Sequence, residues 1–318
     1  MNDLADPIAG RASIGEIDIR TDSLNDLRWD RVMPILIEEQ VFMCHQMRQT
    51  VMALRDRRKR GLSVLDLGTG SGIFGIYLDH ELNRTRDGRP LPEEERSSIL
   101  CLDVNPRAIH FVEDNAKQNA SVQVATKCER YCDQSVPAAS QDVVIINPPY
   151  HPVHGHWVED VALHGAAGED GLAVFRDWKD TIAVHLQAGG VLIGSVMSPT
   201  TPAGEVVAME ELADALGRDT SSVHFCRHLD DPDPPAGDFL RGVYAAYLDT
   251  EPDLAAWIEQ MEQRISGFTV VYFEAEKSTG REPGVFEDIV RCHRYDDVTW
   301  KDRIHVHALM ARRTNRQG

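Results

Sequence analysis

No two cysteines in the chain are spaced Cys-x-x-Cys, and the six it has (Cys44, Cys101, Cys128, Cys132, Cys226, Cys292) are scattered. That pattern excludes a zinc ribbon or a dithiol redox centre. No apolar run is long enough to span a bilayer and no leader peptide is visible, so we expect a cytoplasmic protein with reduced thiols and no membrane contact. Positive charge is also scarce: 33 Lys and Arg stand against 51 Asp and Glu, a net charge of −18. Such a field does not favour a broad phosphate-binding surface, which makes nucleic acid an unfavoured partner, although a sum does not exclude a local basic groove. Repeats are absent. What is present, 42% hydrophobic and 26% charged residues over 318 positions, suits a globular chain with one large core or two smaller ones.

One stretch organises the rest: Asp142-Val143-Val144-Ile145-Ile146-Asn147-Pro148-Pro149-Tyr150. Four apolar, mostly β-branched residues predict a buried strand. Proline lacks an N–H and disfavours helix in the residue before it, so Asn147 and Pro148 are held extended. A stiff polar tip at the carboxyl end of a buried strand is where open α/β sheets place ligands. The amide oxygen of Asn147 and the carbonyl of Pro148 are two acceptors suited to a planar –NH2 group, and Tyr150 offers a ring face for stacking. The plainer alternative is a strand ending in a proline turn.

From residue 1 to about 20 the chain is polar and expected to pack loosely. Apolar residues from Val32 to Leu54 then recur at three- and four-residue spacings, predicting a helix from about Ile35, with Pro34 in its first turn. Arg57-Arg58-Lys59-Arg60 reads as the basic end of that helix and Gly61 as its stop, in preference to a nucleic-acid patch. Next, Ser63-Val64-Leu65-Asp66-Leu67 runs into Gly68-Thr69-Gly70-Ser71-Gly72 and a helix. Gly70 to Gly75 satisfies the dinucleotide pattern G-x-G-x-x-G, which alone is weak and keeps a nicotinamide-dependent oxidoreductase open as a distant alternative. Asp66-x-Gly68-x-Gly70-x-Gly72 is the tighter description, with Asp66 able to accept from an ammonium group either directly or through water. Residues 83–98 read as an exposed insertion. A second strand ends in Asp103, which can accept ribose hydroxyls. A helix over 106–119, a short strand near Val124, the fourth strand with its Asn-Pro-Pro-Tyr tip, a helix to about Gln187 and a fifth strand over 189–196 follow. This alternation predicts a doubly wound parallel sheet. His151, His154 and His156 lie in a non-helical loop with no acidic or thiol partner in register, so no metal site is expected.

Together, Asp66-x-Gly68-x-Gly70-x-Gly72, Asp103 and Asn147-Pro148-Pro149-Tyr150 resemble the class I S-adenosylmethionine-dependent methyltransferases of the Asn-Pro-Pro-Tyr branch. Over about residues 30–200 the resemblance is to the catalytic domain of protein-glutamine N5-methyltransferases that modify release factors. It implies a seven-stranded, mostly parallel Rossmann-like sheet with an antiparallel last strand; the inserted lid is read from this chain's own looser pattern beyond Pro199, which the family does not share. The corresponding division is 1–60, a helical segment; 61–218, the cofactor-binding core; 219–266, the insertion; and 267–318, the closing strands. Its implied cofactor is S-adenosyl-L-methionine. Gly68, Thr69, Gly70 and Gly72 would line its methionine half, Asp66 would sit near its ammonium, Asp103 would take the ribose and Asp133 would lie near the adenine. Asn147 would border the cofactor and, with Pro148 and Tyr150, hold the acceptor nitrogen, without an obligatory base, although His151 or His154 is placed to assist.

The expected reaction is N-methylation of an amide or amine in a small molecule or peptide. Methylation of an adenine or guanine nitrogen, or of a release-factor glutamine, is the alternative. Residues from about 220 to 266, with Phe225, Phe239, Tyr244, Tyr247 and Trp257 and the acids Asp230, Asp231, Asp233 and Asp238, are expected, together with the helix at Ile35–Leu54, to form a lid and wall over Tyr150. The same aromatics would otherwise pack the insertion onto the sheet or build a homodimer interface.

Overall fold

The computed structural model describes residues 3–157, 161–219, 221–227, 234–280 and 284–288. At its centre is strand β7 (Gln141–Ile146), where Val143 to Ile146 are at most 1% exposed. A strand buried on both faces needs helices above and below, and the chain supplies them in alternation. In chain order the first parallel strands are β4 (Ser63–Leu67), β5 (Ser98–Asp103) and β6 (Val124–Cys128). After β7 comes β8 (Leu186–Thr200). Strands β9 (Ser222–Arg227), β10 (Gly267–Glu276) and β11 (Phe286–Asp288) complete a sheet of order β11-β9-β10-β8-β7-β4-β5-β6. Helices α1 (Phe42–Arg58) and α2 (Ile73–Leu82) pack their apolar residues on one face, and α3 (Pro106–Gln118) adds Val112 to that cluster. Helices α4 (Ala173–His185) and α5 (Val207–Leu216) cover the other.

The parallel strands run from β6 to β8, and β10 joins β8 antiparallel from Gly267 opposite Thr200 to Glu276 opposite Val191. The α/β doubly wound reading therefore holds, with eight strands among the described residues in place of seven. Because β4 pairs with β5 on one side and β7 on the other, chain connections diverge at this point and open a crevice at the carboxyl ends of the strands. Opposite, at the amino end of β7, buried Asp142 accepts from Arg60 (2.8 and 3.0 Å) and from the Ser63 amide (2.9 Å). The basic tetrad thus ends α1, with Lys59 at φ +54° as its cap, and anchors the central strand.

Three expectations are corrected. Residues 3–20 are neither loose nor helical: β1 (Leu4–Asp6), β2 (Arg11–Ile14) and β3 (Ile17–Arg20) form an antiparallel sheet. Ala12, Ile14, Ile17 and Ile19 face the core, and Gly15 at φ +59° turns the hairpin, so alternation over only four residues per strand carried the signal. The helix predicted from Ile35 begins instead as a wide turn over Ile37–Val41, in which the Val41 amide bonds the Leu36 carbonyl five residues back at 3.3 Å.

The third correction concerns the 219–266 insertion, whose first part is β9, hydrogen-bonded into the main sheet against β10. Val223 and Phe225 alternate inward, and pairing them relieves β10 of an open edge. Helices α6 (Ala236–Val243) and α7 (Pro252–Arg264) form a separate apolar cluster with Val153 and Trp157. Asp238 is exposed there, 3.8 Å from Arg241. Asp230, Asp231, Asp233 and the strand expected over 303–310 lie outside the described residues.

Candidate active site

At the crevice the pairing of Leu67 with Ile146 and with Leu102 sets Gly68, Asn147 and Asp103 side by side, each the first residue past a matched pair or its neighbour. They border one cavity of about 370 Å³. Gly68 and Gly70 have φ of +68° and +56°, and a Cβ at Gly68 would lie 2.8 Å from the Trp178 ring. Only glycine leaves that space open to a ligand. The amides of Gly68 and Thr69 both bond the Leu102 carbonyl (2.8 and 3.1 Å), which fixes the turn against β5. Gly72 is one step removed from the lining; at φ +82° it precedes α2 and packs on Val112.

Asp103 accepts one backbone N–H on each oxygen, from Gly70 (3.0 Å) and Asn105 (2.9 Å), leaving further lone pairs toward the cavity it lines. Burial raises its pKa. Asp66 is placed differently from the expectation. Fully buried and absent from the lining, it holds the turn from behind by accepting from Thr69 Oγ1 (2.6 Å) and the Gly75 amide (3.0 Å). Burial pushes its carboxyl up to about 6. Asp133 is exposed, accepts from Thr181 (3.1 Å) and does not reach the cavity, whereas Glu129, Arg130 and Tyr131 just before it do.

The tetrapeptide 147–150 lines the cavity throughout. Behind it the loop 165–171 is laced on: the His151 amide bonds the Gly165 carbonyl (3.2 Å), and Val153 bonds Gly168 (2.8 Å). A Cβ at Gly171 would fall 2.5 Å from the Tyr150 carbonyl, so this position needs glycine. In front, Glu39 from the wide turn is buried and accepts from the Tyr150 hydroxyl at 2.7 Å, with the side-chain amide of Asn147 facing it as well. Burial raises the Glu39 pKa, and these donors pull it back. A carboxylate only accepts, so the end of Asn147 that faces it is the –NH2, and Oδ1 is turned away. That Oδ1 is buried and has no partner. An unsatisfied buried acceptor is costly unless a ligand completes it.

His151 lies beside Tyr150 (ring centroids 5.1 Å apart), with Nδ1 unpaired and burial lowering its pKa to about 4. His164 also lines the cavity, while His154 packs near Trp257 instead. Among the described residues no cluster could hold a metal ion. Residues 31–40 form the facing wall, as expected for the segment from Ile35, whereas Phe225, Phe239, Tyr244, Tyr247 and Trp257 of the 219–266 segment do not reach the cavity. Phe225 packs in the sheet core, and Phe239, Tyr244 and Trp257 are buried in the α6–α7 cluster, with Tyr247 packed against it.

Glu39, Gln40, Arg31 and Trp178 were not anticipated. A signal for the first two exists: they fall four residues after Ile35 and Leu36, on the apolar stripe, where a polar pair has to have a buried partner. Trp178 on an amphipathic helix carries no such mark.

Residues 48–164 match the family described as the methyltransferase small domain. The chain is similar to the release factor glutamine methyltransferases of Pasteurella multocida (30% identical over 140 residues, 42% of this chain and 45% of that protein) and Streptococcus pneumoniae (28% over 134 residues, 42% of each). It thus spans less than half the length of these relatives. Among solved structures, M. jannaschii TYW2 in complex with AdoMet aligns with 86% of this chain and 89% of that one, at 13% identity and a TM-score of 0.45. The segment matched by that family carries the glycine turn, Asp103 and the tetrapeptide 147–150.

Proposed function

We propose that the protein is an S-adenosylmethionine-dependent N-methyltransferase acting on a planar amide or amine nitrogen, in a peptide or small molecule. A glutamine side chain of a protein is the acceptor that the names of its relatives favour. One observation carries the reading: Asn147 Oδ1 is buried without a partner on the wall of a cavity whose adjoining wall is the open glycine turn. The residues present fit the cofactor. Gly68, Thr69 and Gly70 leave backbone bare beside the cavity, and Asp103 offers free lone pairs for a ribose. When bound, S-adenosylmethionine supplies an electrophilic methyl group on a sulfonium.

Everything else falls to the chain. A primary amide has a delocalised lone pair and is a poor nucleophile. Asn147 Oδ1 and the Pro148 carbonyl accept its two N–H groups, fix the direction of the nitrogen and favour the positive charge that grows on it. Glu39 keeps Asn147 in that orientation and adds negative charge close by. The nitrogen becomes acidic as charge develops, so no strong base is required. His151 Nδ1, neutral and unpaired, is the nearby group able to take the proton. A cytoplasmic setting is supported by Cys44, Cys101, Cys128, Cys132 and Cys226, all free. Incubation with methyl-tritiated S-adenosylmethionine, unmethylated release factor and, separately, bulk tRNA tests the proposal. Label in the protein fraction is expected. Label in tRNA, or calorimetry showing tight NADH binding and none of S-adenosylhomocysteine, contradicts it.

A further inference from the structure

The wall formed by residues 31–40 holds a charge, Arg31, on which Asp26 and Asp22 act only from beyond ion-pair distance. Arg31 is 2% exposed and lines the cavity. Its Nη1 donates to the carbonyls of Asp26 and Leu24, but Nε is buried with no acceptor, and Nη2 makes no hydrogen bond among the described residues. The neighbouring acids are engaged elsewhere: Asp26 with Arg28, and Asp22 with Arg28 and Arg107. Other charges lining the cavity are matched. Asp177 pairs with Arg130 (3.0 Å), Glu129 with Lys127 (2.9 Å), Glu39 takes the Tyr150 hydroxyl, and Asp103 takes two backbone amides. The two histidines nearby add no charge, because burial holds His151 at about 4 and His164 at about 3.

A buried guanidinium with no carboxylate in contact is unfavourable, and burial lowers the Arg31 pKa despite the pull of Asp26 and Asp22; the Nε–Nη2 side is the edge that meets a carboxylate with two parallel hydrogen bonds. Its position narrows the partner. Val32, the next residue, comes within 3.6 Å of a Cβ placed on Gly70, so Arg31 stands beside the glycine turn. Asp66, the acid expected near the amino-acid half of the cofactor, is shut behind that turn.

We propose that the Nε–Nη2 edge of Arg31 seats the carboxylate of the cofactor's amino-acid half. This rests on the cofactor reading above, and the test separates the two. Wild type and Arg31→Gln are titrated by calorimetry with S-adenosylhomocysteine and with 5′-methylthioadenosine, which keeps the adenosine and thioether but has no amino acid. The substitution is expected to weaken S-adenosylhomocysteine by about 30-fold or more and methylthioadenosine by less than about threefold, the scale of a charge-assisted bidentate pair. Arg31→Lys, which keeps charge without the fork, should fall between. Should the glutamine variant not fold, wild type alone decides, since decarboxylated S-adenosylmethionine must bind at least about tenfold more weakly than S-adenosylmethionine. A folded Arg31→Gln that binds S-adenosylhomocysteine like wild type, or a wild type indifferent to the carboxylate, overturns the seat and leaves the cofactor reading standing. Wild type that binds neither nucleoside overturns both.

Discussion

Along one side of the cavity, backbone forms the site; along the other, buried side chains do. The first side is the row of strand ends after β4, β5 and β7, where glycines at positive φ, a carboxylate on backbone amides and a proline-stiffened tip are fixed by short-range rules. The second is residues 31–40, where buried Glu39 takes the hydroxyl of distant Tyr150, Gln40 accepts from the Leu36 amide, and Arg31 donates to nearby carbonyls while its Nε is left without an acceptor. The comparison teaches that the two sides meet at Asn147, whose –NH2 faces the Glu39 carboxylate while its Oδ1 is left without a partner.

The largest effect expected is at the strand ends. Asn147→Ala should lower methyl transfer by on the order of a hundredfold while S-adenosylhomocysteine affinity stays within about threefold, measured by initial rates and calorimetry. Equal turnover would break the comparison by removing the tip from the chemistry. On the facing wall, Glu39→Gln should cost roughly tenfold in turnover with cofactor affinity intact, since glutamine can no longer dictate which way Asn147 turns. Because burial raises the Glu39 pKa, wild-type turnover should fall as pH drops through that raised value, and the variant should lose this acid limb. A limb that persists unchanged would assign it to another group.

Stability gives a third check. His151 has its pKa lowered from 6.5 to about 4, so between those values the unfolded chain binds the extra proton. Stability is then fully present above about 6.5 and declines as pH falls toward 4, by up to on the order of 3 kcal/mol. Melting at neutral and acid pH should show a shallower decline for His151→Asn. The smallest effect is expected at Asp133→Ala, with cofactor affinity within about twofold, because its carboxylate is exposed and off the cavity. A tenfold loss would return Asp133 to the site.

Elements were legible where their cause was local. The β7 run, the glycine turn and the helix over 106–119 follow from side chains a few positions apart. The tetrapeptide and Asp103 could be placed on one edge because alternating strands and helices dictate a parallel sheet. Strand β9 was not legible, since six residues ahead of a proline-rich loop become a strand only by pairing with β10 forty residues later. The N-terminal sheet was missed for the same reason, its strands being three or four residues long. Asp66 was read at the right strand end and given the wrong direction. A sequence pattern places a carboxylate beside a turn but does not tell which side of the turn it faces, and here Thr69 and Gly75 hold it inward.

The most direct measurement is to locate the transferred methyl by fragment-ion mass spectrometry after reaction with methyl-deuterated S-adenosylmethionine and unmethylated release factor. Two acceptors oriented toward a planar –NH2 predict the deuterated methyl on a side-chain amide nitrogen of glutamine. A methyl on oxygen or carbon, or on a nucleic-acid base in the parallel reaction, would contradict the role given to Asn147 and Pro148.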